Sequence, residues 1–299
     1  AVELAGRVIP LAKTKDETRV LFVGDSATEG AFVSATENFP SVFQTLIDRR
    51  EGGARVRAIN AGVWGMTTID EYHLLKDKLL PLTPDVVVIG LFMANDINTN
   101  LAHREWIERG GWSVWLRNHS ALAHFCYLRL LALSERARFP ANALVPAAFK
   151  LVDSRGLSML SYPAGELATY LTPPSSLIDH AFDVLEHVLV DFETLGRQHH
   201  FSVRVLIIPS PSHVLGRLAI LHFPDLLTEL RARGVSIDPG QIDVDAPTRR
   251  VLSICARIHL TCIDPSERLA RFGGRAFFPH DEHPTALAHR ALAEELMAH

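Results

Sequence analysis

Apolar and polar positions along the chain follow two alternating rhythms. Short, nearly unbroken apolar runs rich in β-branched residues occur at 19–24 (RVLFVG), 55–60 (RVRAIN), 85–91 (DVVVIGL), 203–208 (VRVLII) and 259–263 (HLTCI). Runs of this length predict strands buried on both faces. Between them the spacing turns helical. Residues 39–50 place Phe39, Val42, Phe43, Leu46 and Ile47 on one stripe, an i, i+3, i+4, i+7, i+8 pattern. Residues 68–80, 179–197, 246–258 and 284–298 read the same way, with Pro247 and Pro284 expected in first turns, where a missing N–H costs nothing. Strand–helix alternation of this kind predicts an α/β fold with a parallel sheet and right-handed crossovers.

One interval interrupts the rhythm. From about 98 to 180 no strand is predicted; the stretch carries Trp112, Trp115, a helical pattern near 120–137 and five prolines. A connection this long predicts an excursion with structure of its own, and we expect a mostly helical insertion or lid. The strands on either side feed one sheet, so the 299 residues read as one catalytic unit with an insertion, not as two independent domains.

Composition narrows the classes. A formal net charge of −4 argues against a nucleic-acid partner. No run of about 18 uncharged apolar residues predicts a transmembrane segment in this chain. Three cysteines, Cys126, Cys255 and Cys262, are too few for a disulfide framework or a zinc cluster; Cys255 and Cys262 read more readily as buried apolar residues than as one disulfide.

The chemistry gathers at predicted strand ends. The first strand runs into Gly24-Asp25-Ser26-Ala27-Thr28-Glu29-Gly30. No Lys follows Gly30, and no G-x-G-x-x-G is present, so neither nucleotide-binding loop is supported. The second strand is followed by Asn60-Ala61-Gly62-Val63-Trp64-Gly65, the third by Met93-Ala94-Asn95-Asp96, and the terminal helix is preceded by His280-Asp281-Glu282-His283-Pro284. In a doubly wound sheet these ends lie on the ligand-binding edge.

With these four blocks in this order, the chain resembles the SGNH hydrolase superfamily (GDSL esterases and lipases) over roughly 19–98 and 200–298. The resemblance implies a flavodoxin-like three-layer α/β/α sandwich around about five parallel strands. It further implies a serine esterase without cofactor or metal: Ser26 as nucleophile, His283 as base, and an oxyanion hole from Ser26, Gly62 and Asn95. Serine needs such a base to become nucleophilic, and the oxyanion needs fixed donors. Two positions depart from the family pattern. Met93 stands where a glycine is usual, and His280 stands where the acid is usual. The acid is then expected at Asp281, two residues before His283, with Glu282 or a Ser26–His283 dyad as alternatives.

Other residues have plainer readings. Asp25 and Asp96 are expected to brace their turns. Trp64, Met93 and His213 are possible substrate-lining residues, and Trp112 and Trp115 are lid core or sugar platform. His199 and His200 suit a helix end, and a zinc role for His280, His283 and His289 is not expected. The expected substrate is a small-molecule ester or an acylated glycan. An O-acetyltransferase or deacetylase acting on a polysaccharide is the alternative, and a non-catalytic binding module on the same fold is the third reading. Residues 1–18 lack the apolar core of a signal peptide. Because the chain begins at Ala1 without Met, and many members of the family it resembles act on external esters or glycans, an extracytoplasmic location (periplasmic, secreted or anchored by a missing N-terminal segment) is expected over a cytoplasmic one.

Overall fold

The five apolar runs form one sheet. The structure, a computed structural model, describes residues 1–4, 7–50, 55–104, 163–218, 223–232, 234–279 and 281–299, with 151, 153–155, 157 and 159. Two short antiparallel strands, β1 (Val2–Leu4) and β2 (Arg7–Ile9), come first. The main sheet contains β3 (Glu17–Gly24), β4 (Arg55–Gly62), β5 (Val86–Phe92), β6 (Ser202–Ile208) and β7 (Thr261–Ile263), all parallel, in the order β4-β3-β5-β6-β7. That is the doubly wound 2-1-3-4-5 order, whose switch point lies between its first and third strands, here β3 and β5. Gly24 is in register with Gly62 on one side and Gly90 on the other, so the loops after β3, β4 and β5 emerge next to one another.

Helices cover both faces. In chain order they are α1 (Ser26–Glu29), α2 (Phe39–Asp48), α3 (Thr68–Leu74), α4 (Asp96–Ala102), α5 (Ala164–Tyr170), α6 (Ser176–His199), α7 (Pro211–Val214), α8 (Phe223–Ala232), α9 (Ala246–Ile258), α10 (Ser266–Ala270) and α11 (Ala286–Leu296). Strand side chains alternate between two cores, as a period of two requires. Val20 and Phe22 pack with α2 and α11 through Phe39 and Leu292. Leu21 and Val23 join the larger core with Phe182 and Leu189 of α6 and Val251 of α9. The result is an α/β/α sandwich.

Several boundaries differ from the periodicity. The helix predicted over 68–80 is α-helical only to Leu74, then widens into a π turn and a tight 3-10 turn at Leu80–Leu82. Pro81 has no N–H with which to continue the ladder. Pro247 does occupy a first turn, but Pro284 lies before α11, bridged to Phe277, and Thr285 caps the helix. Cys255 and Cys262 are not separate buried thiols: they form a disulfide with Cα atoms 6.1 Å apart. The left-handed His259 (φ 60°) ends α9 and turns the chain back, which brings the two together.

Most of the predicted insertion, including Trp112, Trp115 and the helical pattern near 120–137, lies outside the described residues, as does Cys126. Its described C-terminal part does not project from the body. Leu167, Ala168, Tyr170 and Ile178 are buried in the larger core.

Candidate active site

Ser26 opens the four-residue α1 directly after β3. Asp25 caps this turn, its Oδ1 accepting from the Ala27 N–H at 2.9 Å, and Gly30 closes it in the left-handed region (φ 96°). Ser26 is thereby held at the strand end on a sharp turn. Its Oγ lies 2.8 Å from His283 Nε2, and His283 Nδ1 lies 2.6 Å from Asp281 Oδ1. The His283 backbone N–H donates to the same Asp281 oxygen at 2.8 Å. The carrying loop is pinned at both ends: the Phe278 N–H donates to His283 O, and the Thr285 N–H to Ala276 O. With Nδ1–H donated to Asp281, Nε2 is left as the acceptor for the Ser26 hydroxyl. The structure therefore brings Ser26, His283 and Asp281 into one hydrogen-bonded chain. Glu282 takes no part in it, and His280 lies outside the described residues.

Asn95 stands at the N-terminal cap position of α4, directly after the turn that follows β5. Its Nδ2 donates to Asp25 Oδ2 at 3.0 Å, which leaves a second amide hydrogen. Ser26 N–H has no acceptor among the described residues. Gly62 departs from expectation. Its N–H already donates to Asn60 Oδ1 at 2.9 Å, so it is not free to serve as an oxyanion donor. Asn60 also donates to Thr28 O at 3.0 Å, tying β4 to α1. The glycine at 62 has a different cause: a Cβ there would sit 2.3 Å from Glu29 N, because α1 lies directly against it. Three residues on, Gly65 (φ 75°) presents an N–H with no acceptor among the described residues.

Three lining candidates fare differently. Trp64 is 58 % exposed and stacks on the His283 ring, with centroids 5.7 Å apart and planes at 20°. Met93 is core, not lining: it is 4 % exposed, its N–H extends the sheet to Ile208 O, and its φ is not positive. Met93 opens the turn after β5 with its side chain in the larger core, and its backbone needs no glycine. His213 on α7 turns to Asp245, Nδ1 to Oδ1 2.7 Å, and shares no hydrogen bond or ring contact with Ser26, His283 or Asp281 among the described residues.

Phe32 escaped the sequence reading. It is 60 % exposed, adopts a left-handed backbone (φ 63°), and meets the Trp64, Phe278 and His283 rings edge-on at 5.4–5.8 Å. No local pattern announces an aromatic in that conformation. Asn60 did leave a signal, since asparagine commonly bonds the backbone two residues on.

Beneath the site lies a layer of buried carboxyls. Asp25, Asp96 and Glu71 have no exposed surface. Burial pushes all three upward, Asp96 and Glu71 well above the usual carboxylate range, and each neighbour's charge adds to the effect on Glu71. Asp96 Oδ2 accepts from the Phe92 N–H at 2.7 Å, bracing its loop.

No protein-family model matches the chain, and no curated protein matches it. Among solved structures, it is similar to TesA (15 % identity, TM-score 0.47, 94 % of this chain and 97 % of that one). It is similar to Axe2, an acetylxylan esterase from Geobacillus stearothermophilus (14 %, 0.49, 95 % of each chain). It is also similar to a lipolytic protein of the G-D-S-L family from Desulfitobacterium hafniense DCB-2 (11 %, 0.44, 94 % and 98 %).

Proposed function

We propose that the chain is a serine esterase of the SGNH type, cleaving carboxylic esters through an acyl-enzyme on Ser26. The observation that carries this reading is the continuous chain from Ser26 Oγ to His283 Nε2 and from Nδ1 to Asp281 Oδ1, at 2.8 and 2.6 Å. In the proposed cycle His283 takes the Ser26 proton as the oxygen attacks the ester carbonyl. Asp281 holds the tautomer and steadies the imidazolium. The oxyanion is received by Ser26 N–H, by the second Asn95 amide hydrogen and, in place of Gly62, by Gly65 N–H. The tetrahedral intermediate collapses, the alkoxide leaves with the proton from His283, and a water attacks the acyl-enzyme by the same route.

The test is Ser26→Ala assayed on 4-nitrophenyl acetate, with a fluorophosphonate label as a second readout. Turnover is expected to fall by at least about 10³-fold, and labelling of the wild type is expected to vanish in the variant. Undiminished turnover, or labelling that persists in the variant, would overturn the reading.

A further inference from the structure

Three aromatic rings meet the His283 imidazole. Trp64 stacks on it at 5.7 Å, Phe32 meets it edge-on at 5.4 Å, and Phe92 lies tilted against it at 5.5 Å. Phe92 ends β5 and is fully buried, so the core accounts for it. Trp64 and Phe32 differ. Each keeps more than half of its surface in solvent, yet the two rings also contact one another, at 5.7 Å. Phe32 holds a left-handed backbone as well (φ 63°), a conformation that is costly for a bulky residue and persists chiefly where function requires it. Core packing explains neither ring.

Both are tied to the element that carries the nucleophile. The Trp64 N–H donates to Oε2 of Glu29, the last residue of α1, at 2.9 Å, and the Val63 N–H donates to Gly24 O at 3.0 Å. Phe32 lies three residues beyond α1, in a turn whose Ala31 N–H donates to Ser26 O at 2.9 Å. His283 is tied differently. Among the described residues, the hydrogen bonds of 277–284 stay within 274–285, except the one between Ser26 Oγ and His283 Nε2. Asp281 therefore fixes the imidazole only relative to its own loop. Acylation removes the exception, because the Ser26 oxygen then carries an acyl group and no proton.

We propose that Trp64 and Phe32 are positioning residues that hold the His283 ring against α1 while Ser26 is acylated, so that their effect falls on deacylation. This rests on the esterase reading and deepens it. In deacylation a water oxygen bonds to the acyl carbon as the water's proton passes to His283 Nε2. Ser26 Oγ then leaves, takes that proton back and frees the acid. Nε2 has to be aimed before the water arrives, and a misplacement of about 1 Å costs on the order of 100-fold. In acylation the Ser26–His283 hydrogen bond itself supplies the aim.

Stopped-flow hydrolysis of 4-nitrophenyl acetate separates the two steps, the burst reporting acylation and the steady state deacylation. Trp64→Leu and Phe32→Gly each remove one ring. Glycine suits the left-handed backbone at 32, so the second variant covers misfolding of the first. Each is expected to slow deacylation by about tenfold or more and acylation by less than about threefold, so that kcat and KM fall together. Trp64→Phe and Phe32→Tyr keep a ring and are expected to regain most of the deacylation rate. Equal slowing of both steps overturns the assignment, because a displaced Gly65 N–H beside Trp64 would act on the oxyanion of each step alike. Unchanged rates overturn it too. A second readout needs no turnover. Ser26→Ala removes the hydroxyl as acylation does, and the low-field His283 Nδ1–H resonance is expected to stay sharp in that protein. It should broaden by exchange with water in Ser26→Ala/Trp64→Leu and Ser26→Ala/Phe32→Gly. A protein that shows this broadening but forms no acyl-enzyme overturns the esterase reading and keeps the positioning role. One that hydrolyses the ester while both double variants keep a sharp resonance overturns the positioning role alone.

Discussion

Two sets of carboxyls meet at the carboxyl end of the sheet, and they obey opposite rules. Asp281 is about one-third exposed and is matched to a base, sharing one oxygen with His283 Nδ1 and the His283 backbone. Asp25, Asp96 and Glu71 are fully buried, and neither oxygen of Glu71 nor Oδ1 of Asp96 has a partner among the described residues. In the first set the carboxyl meets solvent and two N–H donors. In the second, desolvation favours the neutral acid. A carboxyl at the edge can thus serve as a counter-charge for imidazolium, while those beneath serve as fixed hydrogen-bonding groups. Of the buried set, Asp25 reaches towards the site through Asn95, whose Nδ2 donates to Asp25 Oδ2.

The contrast breaks most visibly at Asp281. Asp281→Asn offers His283 an amide in place of a charge and permits the wrong tautomer. Its kcat/KM on a short ester is expected to fall by roughly 10²–10⁴-fold, with the urea unfolding midpoint close to wild type because the side chain is partly solvated. A variant that retains full activity would show that His283 works without an acid. One that unfolds instead would place Asp281 with the buried, structural set.

Asn95 tests the buried set's reach into the site. If its second amide hydrogen meets the oxyanion, Asn95→Ala lowers kcat by roughly 10²–10³-fold with little change in KM, since that donor acts in the transition state. The same substitution removes a partner of buried Asp25, so stability is expected to fall by about 1–3 kcal/mol. A change confined to KM would move Asn95 from the transition state to ground-state binding.

The sheet was legible because its signal is redundant. Each strand is a run of several apolar residues, and β3, β4, β5 and β6 lie within two residues of their predicted positions. Four blocks at strand ends likewise sufficed to bring Ser26, Asn95 and His283 to one edge. What failed turned on single contacts or single backbone angles rather than on a repeated pattern. The commitment of the Gly62 N–H depends on where one amide of Asn60 points, and the burial of Met93 depends on β5 running on beyond Gly90. The Cys255–Cys262 bond depends on one left-handed residue, His259. Phe32 lies in a loop whose backbone sign no periodicity encodes, although its ring meets the His283 ring edge-on.

The smallest expected effect separates two histidines six residues apart. His283 stands at the edge with a carboxylate, whereas His289 is fully buried, stacked on Phe39, with Nδ1 accepting the Phe39 N–H at 3.2 Å and Nε2 without a partner among the described residues. Burial pushes His289 down to about 4, and the neighbouring His283 adds to that shift. Between pH 6.5 and 4 the unfolded chain therefore binds a proton at this residue that the folded chain refuses. Stability is fully present above pH 6.5 and is lost as pH falls, by up to roughly 3 kcal/mol for a shift of this size. In His289→Asn, which keeps an acceptor for the Phe39 N–H but cannot titrate, urea unfolding measured from pH 7 to pH 4 should lose this part of its slope, whatever the cost of the cavity at neutral pH. An unchanged slope would mean that His289 takes up its proton in the folded state, and that burial does not divide the two histidines as it divides the two sets of carboxyls.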